Sequence, residues 1–418
     1  MTSLGRTRSG LYPAVVLCLV ALAACLPAEG SRIEKTPEIL RGPGGSRIQG
    51  EGVLAEGASL AEGLFSIDAW IYPELKVEVA RLRYGTLCQT VGERVRERGH
   101  ADLRVARPDV LVRDILEVLR DDGFTCVDPK PARDASRADA KVFSQALLER
   151  RASCGTMSLL ALACLESQGG GGFAVCMPDH CFVRVPTTGG TEDIECTTYG
   201  ASLDEPEREA TLRVSERARA MRMHYGKSLG RKETLWHYLG DSLGAWLRRP
   251  DTDGAVLAYL SEAKEILGGS CLSFESQEAR RLLRLARANG ISGEARESSL
   301  LRARGCLSRM FDWDPSEAAI AINLALLWLE RREISPALEV LGGFVRSTPL
   351  SADPTVLDAY CLWYTTRLES GDPAYRFSGA DECRRALFLL AERMSPIPGT
   401  PFQATALSKL GQAAGSGN

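Results

Sequence analysis

The sequence predicts an α+β domain followed by an all-α helical array. Three observations carry that expectation. Strand-like runs are confined to residues 173–198, helical apolar periods fill most of the remainder, and Cys154 to Ser167 is apolar on nearly every face, as a helix enclosed by a domain must be. At 418 residues the chain exceeds what one core can bury, so two or three domains are expected. Its 44% hydrophobic and 25% charged residues are the proportions of globular protein and argue against a disordered chain. The net charge of −3 comes without a clustered basic face, so no nucleic-acid partner is expected.

Residues 1–24 read as a leader. Arg6 and Arg8 precede an apolar run, Leu11 to Ala24, that is short for a bilayer span. The run ends in Leu22-Ala23-Ala24-Cys25, which resembles the lipobox of bacterial lipoprotein signal peptides. That resemblance implies an exported protein held at a membrane by lipid on Cys25; an ordinary secretory signal beside an incidental cysteine is the alternative. Residues 26–60 are rich in Gly, Glu, Ala and Pro, with Gly42-Pro43-Gly44-Gly45 among them, and read as a tether with a reach of roughly 30–35 Å. The expected organisation is residues 1–24 as signal peptide, 25–62 as lipid-anchored tether, 63–205 as the α+β domain and 206–418 as the helical domain.

Within the α+β domain, Leu75, Val77, Val79 and Leu82 mark one helix, and Val110, Leu111, Ile115, Leu116, Val118 and Leu119 a second that ends at Asp122-Gly123. Phe143 to Arg150 gives a short helix leading into the cysteine. Gly169 to Gly172 breaks the buried helix. Phe173 to Met177 and Cys181 to Val185 read as strands, Thr187-Thr188-Gly189-Gly190 as a turn, and Ile194 to Thr198 as the returning strand. Beyond about residue 205 strands are expected to stop. There, Ala321, Leu324-Ala325, Trp328, Ala337, Leu341, Phe344 and Pro349 resemble a tetratricopeptide repeat: small residues let paired helices approach, and the proline closes the second helix. Phe344 stands where that family usually has a small residue.

Eleven cysteines follow Cys25, an odd count that leaves at least one thiol unpaired even in an exported protein. Cys361 and Cys383, on adjacent predicted helices, are either a bridge or two reduced core thiols.

The candidate chemistry lies in the middle of the chain. If Ser153 caps the buried helix, Cys154 sits in its first turn, where free N–H groups and the helix dipole favour a thiolate and can hold an oxyanion. His180 follows Pro178-Asp179 and opens a strand, so its ring can point back at the helix mouth as a general base; a ring bonded only to Asp179 is the structural alternative. Glu195 is the candidate carboxylate that orients the imidazole. A tight Gly189-Gly190 hairpin, however, would set Glu195 opposite Arg184 as an ordinary cross-strand ion pair, and Asp193, of the same strand parity, is the reserve. His100, His224 and His237 have no comparable context. Cys176, His180, Cys181 and Cys196 lack paired metal-ligand spacing, with Cys176 and Cys181 placed at opposite parity across a turn, so no metal is expected. No phosphate-binding glycine loop and no Gly-X-Ser-X-Gly elbow is present, and no cofactor is expected.

Three segments, Leu148 to Cys154, Pro178 to Arg184 and Ile194 to Gly200, resemble the transglutaminase-like superfamily, most closely its SirB-type bacterial members, over roughly residues 110 to 200. The resemblance implies a papain-like fold with a nucleophilic cysteine at Cys154, a base at His180 and an acidic residue at Glu195, where most of the superfamily has Asp. It also implies cysteine-dependent acyl transfer or amide hydrolysis on a protein or peptide, with water or an amine as acceptor. The alternative is a catalytically inactive fold that binds a protein partner together with its helical repeats.

Overall fold

The computed structural model describes residues 59–72, 74–98, 107–127, 139–178, 180–203, 205–244, 253–288, 291–394 and 400–415. The leader, Cys25 and nearly all of the tether lie outside them, as do His100 and Asp179. No described helix is long and apolar enough to cross a membrane. The chain divides into two compact units, the first of them running to Leu285 and the second, over the described residues, from Ala286 onward.

The first unit begins with α1 (Leu60–Ile71), α2 (Val77–Glu97) and α3 (Pro108–Asp121). Ser59 caps α1 by accepting the Glu62 N–H, and Pro108 opens α3 at a position where its missing N–H costs nothing. A two-residue strand β1 (Thr125–Cys126) pairs in parallel with β2 (Arg151–Ala152), and between them lies α4 (Phe143–Glu149). Next comes α5 (Cys154–Ser167), with the bounds its sequence predicts. It is buried continuously from Thr156 to Leu165, which is why it needs apolar residues on every face. Helices α1 to α4 surround it, and β3 (Phe173–Cys176) and β4 (Cys181–Thr187) close over it.

Those strands belong to an antiparallel sheet completed by β5 (Gly190–Glu195), β6 (Ala201–Ser202) and β7 (Ser228–Leu229), in spatial order β6-β5-β4-β3-β7. Two expectations are corrected here. The returning strand ends at Glu195, and residues 196–199 form a turn rather than continuing to Thr198. Strands do not stop near 205 either: after α6 (Glu205–Ala220), β7 pairs with the outer side of β3, and α7 (Arg231–Ser242) packs on α1, β3 and β7. Helices α8 (Asp253–Ile266) and α9 (Leu272–Arg287) follow. The expected boundary at 205 therefore falls inside a unit that extends to Leu285, because its last sheet edge and a supporting helix come from later in the chain.

A buried carboxyl ties these helices together. Asp68 of α1 accepts the Ser144 N–H of α4 at 2.6 Å and the Tyr238 hydroxyl of α7 at 2.6 Å, and Tyr238 in turn accepts the Phe143 N–H at 2.8 Å. Burial pushes the Asp68 carboxyl up to about 6, against the lowering effect of those bonds. A raised acid pKa means the native state binds the proton more tightly than the unfolded chain. The carboxyl's contribution to stability is thus complete below its ordinary 3.8 and lost as pH rises through about 6. Asp68→Ala leaves two buried donors unpaired and is expected to cost about 2–3 kcal/mol in thermal or urea unfolding, with the pH dependence between 4 and 6 flattened. A loss under about 0.5 kcal/mol would mean that water replaces the carboxylate.

The second unit contains α10 (Gly293–Trp313), α11 (Ala318–Glu330), α12 (Ile334–Ser347), α13 (Pro354–Glu369), α14 (Ala380–Met394) and α15 (Pro401–Gly415). The connection between α11 and α12 is only three residues, and the two helices pack together through Ala321, Ala325, Ala337 and Leu341, all buried. Phe344 is fully buried and meets Tyr360 of α13 edge-on, with ring centroids 6.2 Å apart, so a large residue fills the space between successive helices there. Asp353 caps α13 through the Thr355 and Val356 N–H groups, with Pro354 at its first position. Cys361 and Cys383 are free thiols buried in this core. The described structure is thus an α+β unit and a unit made only of helices.

Candidate functional site

Everything at the site follows from how α5 begins. The Arg150 carbonyl accepts the Thr125 N–H and the Ala152 carbonyl accepts the Val127 N–H, so the parallel β1–β2 pair delivers the chain to Ser153 in extended conformation. Ser153, itself anchored by its N–H on the Ala140 carbonyl, caps α5: its Oγ accepts the Thr156 N–H at 3.2 Å. Cys154 is therefore the first helical residue. The N–H groups of Cys154 and Gly155, at the first two helical positions, have no intrahelical partner. Cys154 and Gly155 are partly exposed while Ser153 and Thr156 are buried, which puts the thiol at the accessible tip of an otherwise enclosed helix.

One further residue of α5 draws the imidazole to this tip. Ser158, fully buried one turn on from Cys154, donates its hydroxyl to the Cys181 carbonyl at 3.1 Å and so fixes the start of β4 beside the helix. The Met177 N–H donates to the His180 carbonyl at 2.7 Å, closing the β3–β4 hairpin immediately before it. His180 is held between these two restraints, with its ring beside the Cys154 side chain.

Glu195 reaches the same ring. Its Oε2 bonds His180 Nε2, while its Oε1 accepts both the Thr197 N–H at 2.8 Å and the Thr197 hydroxyl at 2.6 Å. The three residues singled out from the sequence are thus brought together, and the register explains why. The β4–β5 loop is Thr188-Gly189, closed by Thr187 opposite Gly190, not Gly189-Gly190. That one-residue shift of the loop moves every cross-strand partner by two and sets Asp193 opposite Arg184, where Arg184 Nε and Nη2 hold its carboxylate at 2.6 and 2.8 Å. The reserve candidate Asp193 is consumed by Arg184, and Glu195, released from that pairing, turns to His180.

The electrostatics match the geometry. Contact with the Cys154 thiol first, and the Glu195 carboxylate second, push the His180 pKa up to about 10 against the opposing effect of burial. Burial raises the Glu195 carboxyl, but the bonds from His180 and Thr197 together outweigh it and leave it below its ordinary value. Because the ring's native pKa exceeds its ordinary 6.5, its stabilising contribution is complete below that pH and is lost as pH rises through about 10. Glu195→Gln removes the negative partner, so the His180 pKa is expected to fall well below 10 in an NMR titration of the ring, with Thr197→Val producing a smaller fall through the lost hydroxyl bond. A ring that still titrates near 10 in the Gln variant would break the assignment of Glu195 as its partner.

Two contributors went unnoticed in the sequence, Ser158 and Thr197. Ser158 carried a signal, being the lone hydroxyl in the run Met157 to Leu165. Thr197 carried none, since a strand through residue 198 would have aimed it elsewhere. The thiols around the site also differ from expectation: Cys176 and Cys181 are direct cross-strand partners on one face, with sulfurs 3.8 Å apart, rather than at opposite parity. A cavity of about 390 Å³ lined by Arg83, Thr90, Arg94, Asp121, Asp122 and Arg150, among others, opens elsewhere and includes neither Cys154 nor His180. No protein-family model matches the chain, and no curated protein matches it either.

Proposed function

We propose that this protein is an exported, lipid-anchored member of the transglutaminase-like superfamily that performs cysteine-dependent acyl transfer or amide hydrolysis on a protein or peptide. The observation that carries the reading is the linked set Cys154, His180 and Glu195, with the carboxylate held at both oxygens and the thiol at a helix tip. In this reaction the Cys154 sulfur attacks a peptide, isopeptide or glutamine amide carbonyl and forms the C–S bond, the thiol proton residing on His180. The first-turn N–H groups of α5 receive the developing oxyanion. The C–N bond then breaks as His180 returns the proton to the leaving amine, and Glu195 keeps the imidazolium oriented throughout. Water then releases an acid, or an amine a new amide. The α10–α15 array is read as tetratricopeptide-like and as the surface for a protein partner, and lipid on Cys25 as the membrane anchor.

The test is to incubate the protein with a glutamine-containing peptide and a fluorescent primary amine. Amine incorporation identifies a transferase, ammonia release without incorporation a glutaminase, and backbone cleavage a peptidase. If none of the three products depends on Cys154, the proposal fails.

A further inference from the structure

His224, His237 and Cys271, remote from one another in the sequence, converge inside the first unit. One ligand atom from each lies within 4.8 Å of the other two. The convergence is built by the backbone. Met223 bridges to Ser270, the His224 N–H donates to the Ser270 carbonyl at 2.7 Å, and the Ser270 N–H donates to the Arg222 carbonyl at 2.8 Å. Residues 222–224 and 269–271 approach so closely that a Cβ at Gly269 would lie 2.8 Å from the Arg222 carbonyl oxygen, which reserves that position for glycine. His237 arrives from α7, its ring centroid 4.9 Å from that of His224 at an angle of 81°.

A second, independent observation concerns His224 alone. It is completely buried; the Gly269 backbone is within loose reach of one ring nitrogen, and the other nitrogen has no hydrogen-bond partner. An imidazole must present at least one N–H donor and, when neutral, one acceptor, and leaving either orphaned in the core is costly. Phe274 lies against both His224 and His237, with centroids 5.9 and 5.8 Å away, and the Tyr225 hydroxyl nearby accepts the Leu272 N–H at 2.6 Å.

We infer that His224, His237 and Cys271 bind a zinc ion. Two imidazoles and a thiolate are the donors zinc prefers, and they suit magnesium or calcium poorly. Tetrahedral zinc with bonds of about 2.0–2.3 Å needs donors roughly 3.3–3.8 Å apart, so rotamer adjustments of about an ångström close the cluster. The Asp241 carboxylate stands 3.8 Å from His237 Nδ1, and a small side-chain shift would make it the carboxylate partner that orients a metal-bound histidine. Binding converts the Cys271 thiol to thiolate, its proton leaving to solvent. The ion pins the turn before β7 to α7 and to the start of α9. This inference is independent of the proposed acyl-transfer activity.

The full chain, stripped with a chelator and dialysed, is titrated with zinc and separately with cobalt(II). Expected are stoichiometric zinc binding with proton release, a rise in Tm of about 5 °C or more, and a cobalt spectrum with a thiolate charge-transfer band. Cys271→Ser is expected to remove that band and, like His237→Gln, to weaken zinc binding at least about 100-fold. If either variant fails to fold, alkylation of the natural chain in sub-denaturing urea, where the buried Cys271 becomes slowly accessible, decides: zinc must slow the labelling of Cys271 and leave that of Cys154 and Cys88 unchanged. Equal labelling of Cys271 with and without zinc, or protection of Cys154 or Cys176 instead, would overturn the site.

Discussion

Cys154→Ala is expected to abolish the rapid acylation of this protein by an activated ester such as p-nitrophenyl acetate, seen as loss of the nitrophenolate burst. The burst requires a thiol that is accessible, deprotonated in place and able to hand its proton to a neighbour. Cys154 has the access and the neighbouring base, standing partly exposed at the first position of α5 with the His180 ring beside it. Most other thiols fail on exposure: Cys164, Cys176, Cys181, Cys196, Cys271, Cys306, Cys361 and Cys383 are buried. Cys88 is the serious competitor. It is partly exposed, and hydrogen bonding from the Cys164 thiol holds it below the ordinary range. The comparison therefore needs Cys88→Ser alongside. Loss of the burst in Cys154→Ala with retention in Cys88→Ser supports the assignment; the reverse pattern would transfer the reactivity to α2. His180→Ala should slow acylation by about 10²–10⁴-fold, the usual worth of a positioned acid–base group.

The largest stability effect is expected from Asp253→Ala. Arg281 is 0% exposed, and its Nη1 faces Asp253 Oδ1 at 3.4 Å while its Nη2 donates to the Leu243 carbonyl at 3.0 Å. Arg284 approaches the same carboxylate in a fork, through Nε to Oδ2 at 2.6 Å and Nη2 to Oδ1. One buried anion thus balances two guanidinium groups. Burial already pulls the Arg281 pKa down to about 10, which measures how poorly the site tolerates uncompensated charge. Removing Asp253 leaves that charge without its partner and should cost about 3–5 kcal/mol, read as a lowered Tm of the first unit. Replacing Arg281 with Met in the same chain should restore much of the loss. A single variant that melts within a degree or two of the natural protein would mean solvent reaches Arg281.

The start of α5 could be read from the sequence because its signals are local: a serine cap, a cysteine, then an unbroken apolar run. The hairpin carrying Glu195 could not be read as reliably. Thr187 to Gly190 permits two loop choices one residue apart, which shift the cross-strand partners by two, and parity, which keeps the same face inward in both, cannot separate them. Only the pairing of Thr187 with Gly190 decides which acid meets Arg184. Strand β7 escaped detection because two residues show no alternation. His224 and His237 looked unremarkable for a related reason: their relation to Cys271 exists only after residues 222–224 and 269–271 pair through the backbone.

That late-arriving strand also bears on dissecting the protein. A fragment truncated near residue 205 would lose β7 and expose the N–H and C=O groups along one side of β3, an open edge that invites intermolecular pairing and precipitation. It would also lose the phenol that braces Asp68. The smallest soluble catalytic piece should instead run past Leu285, and grafts or shuffled chimeras made upstream of that point should aggregate.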